Sequence, residues 1–208
     1  MNLRRAARIV RQSAKSDIEQ DVVIDAIGYA GNYFLRETKM SKGEFILTLT
    51  AGVETFTIDQ VPDFRPERLL MGETTPYQRL DYRTYREVAG QYSTDTTVTV
   101  SSSTPRIIAF RTPERGIVWP AASATKTDIR IVYYRPLVDI EEHDDNIKLN
   151  IPDEYAYDVM QFGATAVAEH RVPDSLFQNV AWERFLQMTK KAKEEVAFAG
   201  IQEGPATN

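Results

Sequence analysis

The spacing of apolar residues changes twice along this 208-residue chain, from a helical period to a strand-like period and back. Near the start, an apolar residue recurs every four positions, which is the repeat of a buried helix face. That stripe consists of Ile18, Val22, Ala26, Ala30 and Phe34. The middle of the chain is instead rich in β-branched and aromatic residues. The helical repeat returns at Tyr155, so two helical ends flank a β region.

These changes of period predict an α+β fold: a helical bundle built from both chain ends, with an inserted and mostly antiparallel β domain. The two ends are expected to pack together, because each exposes an apolar stripe that water disfavours. The predicted boundaries are 1–43 for the N-terminal part of the helical platform, 44–150 for the β domain, 151–199 for the C-terminal part of the platform, and 200–208 for a flexible tail.

Within the β domain, residues 45–50 and 53–58 flank Ala51-Gly52 and are predicted to form a β-hairpin. A short helix is predicted after it, with Asp81 as its cap and Gly90 as its end. β-Branched and aromatic residues also concentrate in several other short segments, where we expect further strands. Those segments are 68–71, 97–101, 106–111, 116–120 and 129–135.

Glycines inside the helical stripes indicate close packing, because a residue without a side chain lets another element approach the backbone. Gly28 and Gly31 interrupt the second helix and Gly163 interrupts a later one, so another helix is expected against each. The last helix is predicted over 176–198. Its apolar face consists of Trp182, Phe185, Met188, Ala192 and Val196, and lysines and glutamates cover the opposite face.

Composition lowers the prior for catalysis and for metal binding. The chain contains no cysteine and two histidines, His143 and His170, although histidine is the commonest acid–base group and metal ligand near neutral pH. The phosphate-binding, dinucleotide-binding, zinc-protease and nucleophile-elbow motifs do not occur. We therefore predict no catalytic, cofactor-binding or metal-binding residues and no cofactor, and we do not expect an enzyme.

Three local patterns have both a functional and a structural interpretation. Gly28-Tyr29-Ala30-Gly31 has the letters of the GxxG loop of KH nucleic-acid-binding domains, but an apolar helical stripe runs through it, which favours helix packing. The run from Glu141 to Asp145 offers oxygen ligands for a divalent metal, yet a solvated loop explains it better. His170 lies at a helix end, where a cation suits the helix dipole.

Two surface features leave their alternatives open. The first fifteen residues contain five cations and no acid, although the whole chain has a net charge of −5. These cations are Arg4, Arg5, Arg8, Arg11 and Lys15. They form either a solvated helix face or an arm that contacts an acidic partner or nucleic acid. Four tyrosines form either a contact surface or a cover over the edge of the β domain: Tyr77, Tyr82, Tyr85 and Tyr92.

The order of these elements resembles the head-to-tail adaptor (connector) proteins of tailed bacteriophages, especially those of short-tailed phages. The resemblance covers most of the chain and is carried by loose patterns of residue type, with no invariant motif. The stretches concerned are 18–34, 45–56, 116–120, 129–136 and 149–155. The last of these, Leu149-Asn150-Ile151-Pro152-Asp153-Glu154-Tyr155, leads into an apolar helix.

The resemblance implies a structural virion protein at the head–tail junction, assembled in the host cytoplasm. It would form a dodecameric ring under the portal, join the capsid to the nozzle or tube proteins of the tail, and line the channel through which genomic DNA leaves. An acidic wall suits such a channel, because it repels phosphate and binds no particular sequence. Residues 200–208 would dock onto the portal. Whether Arg4, Arg5, Arg8 and Arg11 contact DNA or portal stays open.

Two alternatives remain at this point. One is another neck or tail subunit: a head-closure, tail-terminator or tail-tube protein. The other is a carbohydrate- or nucleic-acid-binding β module that uses its tyrosines. A membrane protein is not expected, because no apolar run approaches the roughly 18–20 residues that span a bilayer.

Overall fold

The computed structural model describes residues 1–14, 17–58, 61, 64–74, 78–92, 104–121, 127–140, 145–169 and 180–202. The chain divides into two compact units: a helical unit formed by Met1–Ser41 with Pro136–Asn208, and a β unit formed by Lys42–Arg135. Residues 136–150 cluster with the helices, because Leu137 and Leu149 are buried in the helical core. The fold is α+β, as the periods predict.

The helices account for both ends of the chain. They are α1 (Leu3–Ser13), α2 (Gln20–Thr38), α3 (Tyr85–Tyr92), α4 (Asp153–Asp158), α5 (Thr165–Glu169) and α6 (Val180–Gln202). Only α3 of these belongs to the β unit. A π-helical stretch, Val159–Ala164, joins α4 directly to α5.

The core of the helical unit contains residues from both ends of the chain. Ile27 and Phe34 of α2 are completely buried, and so are Val159 and Phe185 from the C-terminal part. Four residues of the predicted stripe, Val22, Ala26, Ala30 and Phe34, lie on α2 in this core, with Val22 only partly buried, which confirms that part of the helix face. Ile18 is buried as well, but it precedes α2, which begins at Gln20. On α6, Trp182 and Phe185 are buried, whereas the lysines and glutamates from Lys190 to Glu195 are exposed.

The glycines have different neighbours. A Cβ atom on Gly163 would lie 2.8 Å from the Phe185 ring of α6, which confirms the predicted close approach of a helix. At Gly31 a Cβ atom would lie 2.9 Å from Leu137, and at Gly28 it would lie 3.8 Å from Ile140. The prediction of a helix against Gly28 and Gly31 is therefore wrong, because the non-helical segment that follows the β unit occupies this space.

The C-terminal helix extends further than its sequence pattern predicts. α6 continues through Gly200 to Gln202, so it includes the first three positions of the segment predicted as a tail. Helical hydrogen bonding continues past Phe198 because glycine weakens a helix by only about 1 kcal/mol and does not end it by itself. Residues 203–208, and the predicted start of this helix at 176–179, lie outside the described residues.

One asparagine holds the two places where the chain passes between the units. Asn150 Nδ2 donates to Ser41 Oγ (2.9 Å) and to the Pro136 carbonyl (2.7 Å). Its Oδ1 accepts from Val138 N at 2.9 Å. Ser41 is the last residue of the helical unit before the β unit, and Pro136 is the first after it. We call Asn150 with these three partners the Asn150 clasp.

Replacing Asn150 with alanine is expected to lower the free energy of unfolding of the helical unit by about 2 kcal/mol, because three partly buried backbone and hydroxyl groups lose their partner. Urea unfolding followed by far-ultraviolet circular dichroism measures this loss. Asn146→Ala is the matched control at an exposed position nearby. Equal effects of the two substitutions, both within about 0.5 kcal/mol of wild type, would contradict the role of the clasp.

A hydrogen bond between α4 and α6 has a predictable pH dependence. The Tyr155 hydroxyl donates to Glu195, and this bond, with desolvation and the Glu195 charge, raises the pKa of Tyr155 to about 12. The protonated phenol is the stabilised form, so the stabilisation is complete below pH ~10 and is lost as the pH rises through about 12.

Tyr155→Phe is therefore expected to cost less than about 1 kcal/mol near neutral pH, since the pair lies at the surface. The difference from wild type should shrink between pH ~10 and ~12. Urea unfolding across this range measures it, with Tyr157→Phe as a control at a half-exposed tyrosine. A constant difference at all pH values would show that the hydrogen bond is not its cause.

The β unit contains two four-stranded sheets, with orders β1-β8-β3-β4 and β2-β7-β6-β5. The strands are β1 (Lys42–Leu49), β2 (Thr55–Thr57), β3 (Leu69–Thr74), β4 (Gln78–Arg79), β5 (Asp81–Tyr82), β6 (Ile107–Thr112), β7 (Arg115–Trp119) and β8 (Thr127–Tyr134). All pairs are antiparallel except β5 with β6. The strands expected at 68–71, 106–111, 116–120 and 129–135 are thereby confirmed within one to three residues, and 97–101 lies outside the described residues.

Both sheets contribute to one core. The Phe64 ring lies 5.3 Å from the Phe110 ring of one sheet and 5.3 Å from the Tyr133 ring of the other, centroid to centroid. Phe64 is 1% exposed, and Leu47 and Phe56 are buried around it. The alternation of apolar and polar residues in these strands therefore reflects one buried face on each sheet.

The predicted hairpin of residues 45–58 is wrong. β1 pairs with β8, in the register Lys42↔Tyr134 to Leu49↔Thr127, whereas β2 pairs with β7 in the other sheet. A turn at Ala51-Gly52 does form, with Gly52 at φ 71°. The chain after this turn enters the second sheet because the Phe56 ring packs over Gly116, where no side chain blocks it.

The short helix α3 begins later than predicted. Asp81 lies in β5, and Thr84 is the residue that precedes the helix. The Thr84 N–H and hydroxyl both donate to Glu87 Oε2, at 2.9 and 2.8 Å. These bonds lower the pKa of Glu87. Asp81 as cap and Gly90 as end are thus both wrong, because the Thr84–Glu87 capping box sets the start and the helix runs on to Tyr92.

Candidate interaction surface on the first helix

Helix α1 separates its apolar residues from its arginines. Its buried side consists of Leu3, Ala6, Ala7, Ile9 and Val10. Arg4, Arg5, Arg8 and Arg11 are all exposed. Asn2 caps the helix, since its Oδ1 accepts from the Arg5 N–H at 3.0 Å. The apolar side therefore fixes α1 in the core, and the arginines face solvent.

The presence of Arg4 and Arg5 at the start of α1 is not explained by the stability of the helix. Arg4 and Arg5 lie in the first turn of α1, where the helix dipole is positive and cations are disfavoured. This turn contains no acidic residue. A contact with an acidic group outside α1 would offset that unfavourable placement.

Three of the arginines line a groove of about 450 Å³. We call it the arginine groove, and its lining residues are Arg4, Ala7, Arg8, Arg11, Gln12, Gln20 and Asp145. Arg11 Nη2 donates to the Gln20 side chain of α2, which fixes one wall. The Arg4 N–H donates to the Asp145 carbonyl at 3.0 Å, which brings the 145–147 segment to the other end.

The groove has an excess of positive charge. In the part of the chain that the structure describes, no side-chain ion pair includes Arg4, Arg8 or Arg11. Arg5 is not part of the groove. The Met1 α-amino group, 2.8 Å from Asp153, lowers the pKa of that carboxyl by its hydrogen bond and charge, and the Arg5 charge adds a smaller effect in the same direction. Guanidinium groups offer paired donors to carboxylates and phosphates, so the groove is suited to an anionic partner.

The other candidate residues from the sequence do not form a second site in the part of the chain that the structure describes. Lys15, His143, His170 and residues 141–144 lie outside the described residues, and Asp145 is exposed. Among the residues described, no three histidines or carboxylates come together as a metal site. The GxxG sequence at Gly28–Gly31 lies within α2 and not between two helices, so the KH-type interpretation is wrong.

The tyrosines of the β unit do not form one described surface. Tyr82 is 51% exposed on β5, the edge strand of its sheet, and its ring lies 6.2 Å from Phe110. The Arg111 guanidinium lies 5.7 Å from the Tyr85 ring centroid. Tyr77 is outside the described residues, and of Tyr92 only its place in α3 is described. Tyr82 therefore covers the sheet edge, and a contact role is open to it as well.

The groove itself has no sequence motif: its residues come from α1, from α2 and from the 145–147 segment. The positive N-terminal stretch was the one signal in the sequence that pointed to it. Gln12 and Gln20 were missed, because nothing local distinguishes them from other surface residues. Asp145 was noted only as part of the acidic run, with no link to the arginines of α1.

Comparison with known proteins places both units in one family. Residues 2–202 match the family model described as SU10 adaptor protein. No curated protein matches the chain. No helix in the described part of the chain has the length and apolar character needed to cross a bilayer. Because the match spans nearly the whole sequence, the chain belongs to the SU10 adaptor family of bacteriophage head-to-tail adaptors, which are structural proteins of the virion.

Proposed function

We propose that this adaptor assembles as a dodecameric ring beneath the portal, joins the capsid to the tail and lines the channel through which DNA leaves. The observation that carries the proposal is the family match over residues 2–202, which includes both units. The net charge of −5 agrees with a channel wall that repels phosphate. Assembly would take place in the host cytoplasm, and the ring would remain at the head–tail junction.

In this proposal the two units have different partners. The helical unit would build the ring, because it contains both chain ends and the arginine groove. The β unit would meet the nozzle or tube proteins of the tail. The segment after α6, which ends at Gln202, would dock onto the portal.

The test is assembly on the portal. The purified adaptor, mixed with purified portal, is expected to give a complex with twelve adaptor copies by native mass spectrometry and a ring under the portal by electron microscopy. A chain that ends at Gln202, run in parallel, should form rings that no longer bind portal. An adaptor that stays monomeric with portal, or rings that never bind it, would overturn the proposal.

Ring symmetry separates this function from the other neck and tail roles. A ring with the same symmetry as the portal supports the adaptor proposal. A ring of another symmetry would favour a head-closure, tail-terminator or tail-tube subunit. DNA exit is tested separately, since rings that line the channel should leave duplex DNA free to pass without sequence-specific retention.

A further inference from the structure

The arginine groove is suited to an acidic occupant. Arg4, Arg8 and Arg11 lie at positions i, i+4 and i+7 of α1, so they project from one side of the helix. They are exposed, and in the described part of the chain no ion pair neutralises them. A partner that brings carboxylates to this groove gains bidentate hydrogen bonds as well as charge attraction.

Helix α2 presents a matching acidic stripe. Asp21 and Asp25 are exposed on the side of α2 that faces away from the core, with half-exposed Tyr29 as the next residue along it. They are four residues apart, as Arg4 and Arg8 are, so each pair spans about 6 Å along its helix. Two helices with equal spacing can bring both pairs into contact at once.

The charge distribution favours a second copy of this chain over nucleic acid. The five cations of the first fifteen residues are followed by 20 basic and 30 acidic residues in the rest of the chain. This excess of acids opposes the approach of DNA and favours a protein surface of the same acidic kind. A ring also requires two different patches on every subunit, one for each neighbour.

We propose that the arginine groove of one adaptor copy binds the Asp21–Asp25 side of α2 of the next copy, and that this contact closes the ring. The proposal rests on the ring that forms part of the proposed function. Arg4 and Arg8 form one half of the contact, and Asp21 and Asp25 form the other. Each subunit then uses both halves, with a different neighbour at each.

Charge reversal tests the contact. The variants are Arg4→Glu with Arg8→Glu, and Asp21→Lys with Asp25→Lys. Each alone is expected to need at least tenfold more protein for half-maximal assembly on portal, measured by sedimentation velocity. An equimolar mixture of the two should assemble like wild type, because in a ring of alternating variants every contact is attractive: half of the contacts keep the wild-type signs and the other half have both signs reversed. Lys190→Glu with Lys191→Glu reverses two exposed cations of α6 and should leave assembly unchanged.

Neutral variants, thermal unfolding and salt show whether a loss of assembly comes from the charge contact or from a loss of folding. Arg4→Gln with Arg8→Gln should give a smaller shift in assembly. Thermal unfolding of every variant should stay cooperative and close to wild type, since the four residues are exposed and a charge in a first helical turn changes stability by only about 0.3–1 kcal/mol. Wild-type assembly should weaken as salt rises above about 0.1 M, where screening acts within about 10 Å.

The possible outcomes separate this inference from the proposed function. Wild-type rings on portal together with unchanged assembly of the charge variants would overturn the contact and leave the adaptor role intact. A mixture that fails to assemble would overturn it too, because the arginines would then meet something other than α2. If wild-type adaptor is retained on a duplex-DNA column, and the Arg4 and Arg8 variants lose this retention but assemble normally, the groove binds nucleic acid instead. Absence of wild-type assembly would remove both proposals.

Discussion

Replacing Gly116 with alanine is expected to lower the free energy of unfolding of the β unit by about 3 kcal/mol. A Cβ atom at this position would lie 2.3 Å from Phe56 Cζ and 2.4 Å from the Ala109 carbonyl oxygen. The Phe56 ring has some freedom to tilt, but the carbonyl belongs to the neighbouring strand β6 and is held by the sheet. The added methyl group therefore separates two paired strands or displaces the core ring.

The measurement uses the two tryptophans of the chain, since Trp119 lies in the β unit and Trp182 in the helical unit. Fluorotryptophan labelling gives each unit its own ¹⁹F resonance during urea unfolding. Gly116→Ala should lower the midpoint for Trp119. Gly72→Ala is the matched control, because its Cβ would meet only side-chain carbons of Leu80 and Ile131, at 3.4 Å or more. Equal midpoints for the two variants would show that the space at Gly116 is not limiting.

Phe185→Ala is expected to cost the helical unit about 4 kcal/mol, the loss typical of a fully buried aromatic ring. Its ring centroid lies 4.8 Å from that of Trp182 and 5.7 Å from that of Tyr33, and its face covers Gly163. Removing it leaves a cavity where α6 meets α2 and the π-helical stretch. The Trp182 resonance should report this loss, and Phe162→Ala, at a partly buried ring, should cost distinctly less.

A double-mutant cycle tests whether Phe185 stabilises the helical unit through its contact with Gly163. Gly163→Ala alone should destabilise the unit, because its methyl group would lie 2.8 Å from the Phe185 ring. In the Phe185→Ala background the same methyl group enters empty space, so the two losses should sum to more than the loss of the double variant. Strict additivity would show that the two residues are not in contact.

The sequence predicted those elements whose signal is local. The four-residue repeat of α2 and the apolar face of α6 correspond directly to buried faces, because a helix satisfies its hydrogen bonds within itself. Strand positions were also recognised, but strand pairing was not. β1 pairs with β8, about eighty residues away, and nothing within residues 45–58 distinguishes this from a hairpin. The neighbours of Gly28 and Gly31 were missed for the same reason, since a glycine does not specify what approaches it.

The candidate surface shows the same limit. The cluster of cations before residue 16 is visible in the sequence, and so is its imbalance with an acidic chain. That Arg4, Arg8 and Arg11 share a groove depends on the contact of Arg11 with Gln20 of α2, and on the bonds from Leu3 and Arg4 to residues 147 and 145. These contacts join parts of the chain that are more than 140 residues apart, which local spacing does not encode.

The Asn150 clasp has a consequence for how adaptors of this kind diversify. Because one side-chain amide binds both Ser41 and Pro136, the two ends of the helical unit are joined at the place where the β unit interrupts its chain. The chain between these two residues is then an inserted unit. Both of its ends leave the helical unit at one fixed position, which the hydrogen bonds of Asn150 define. If the β unit meets the tail, as we propose, a phage that acquires a new tail needs to exchange only residues 42–135, and the helical unit can stay as it is.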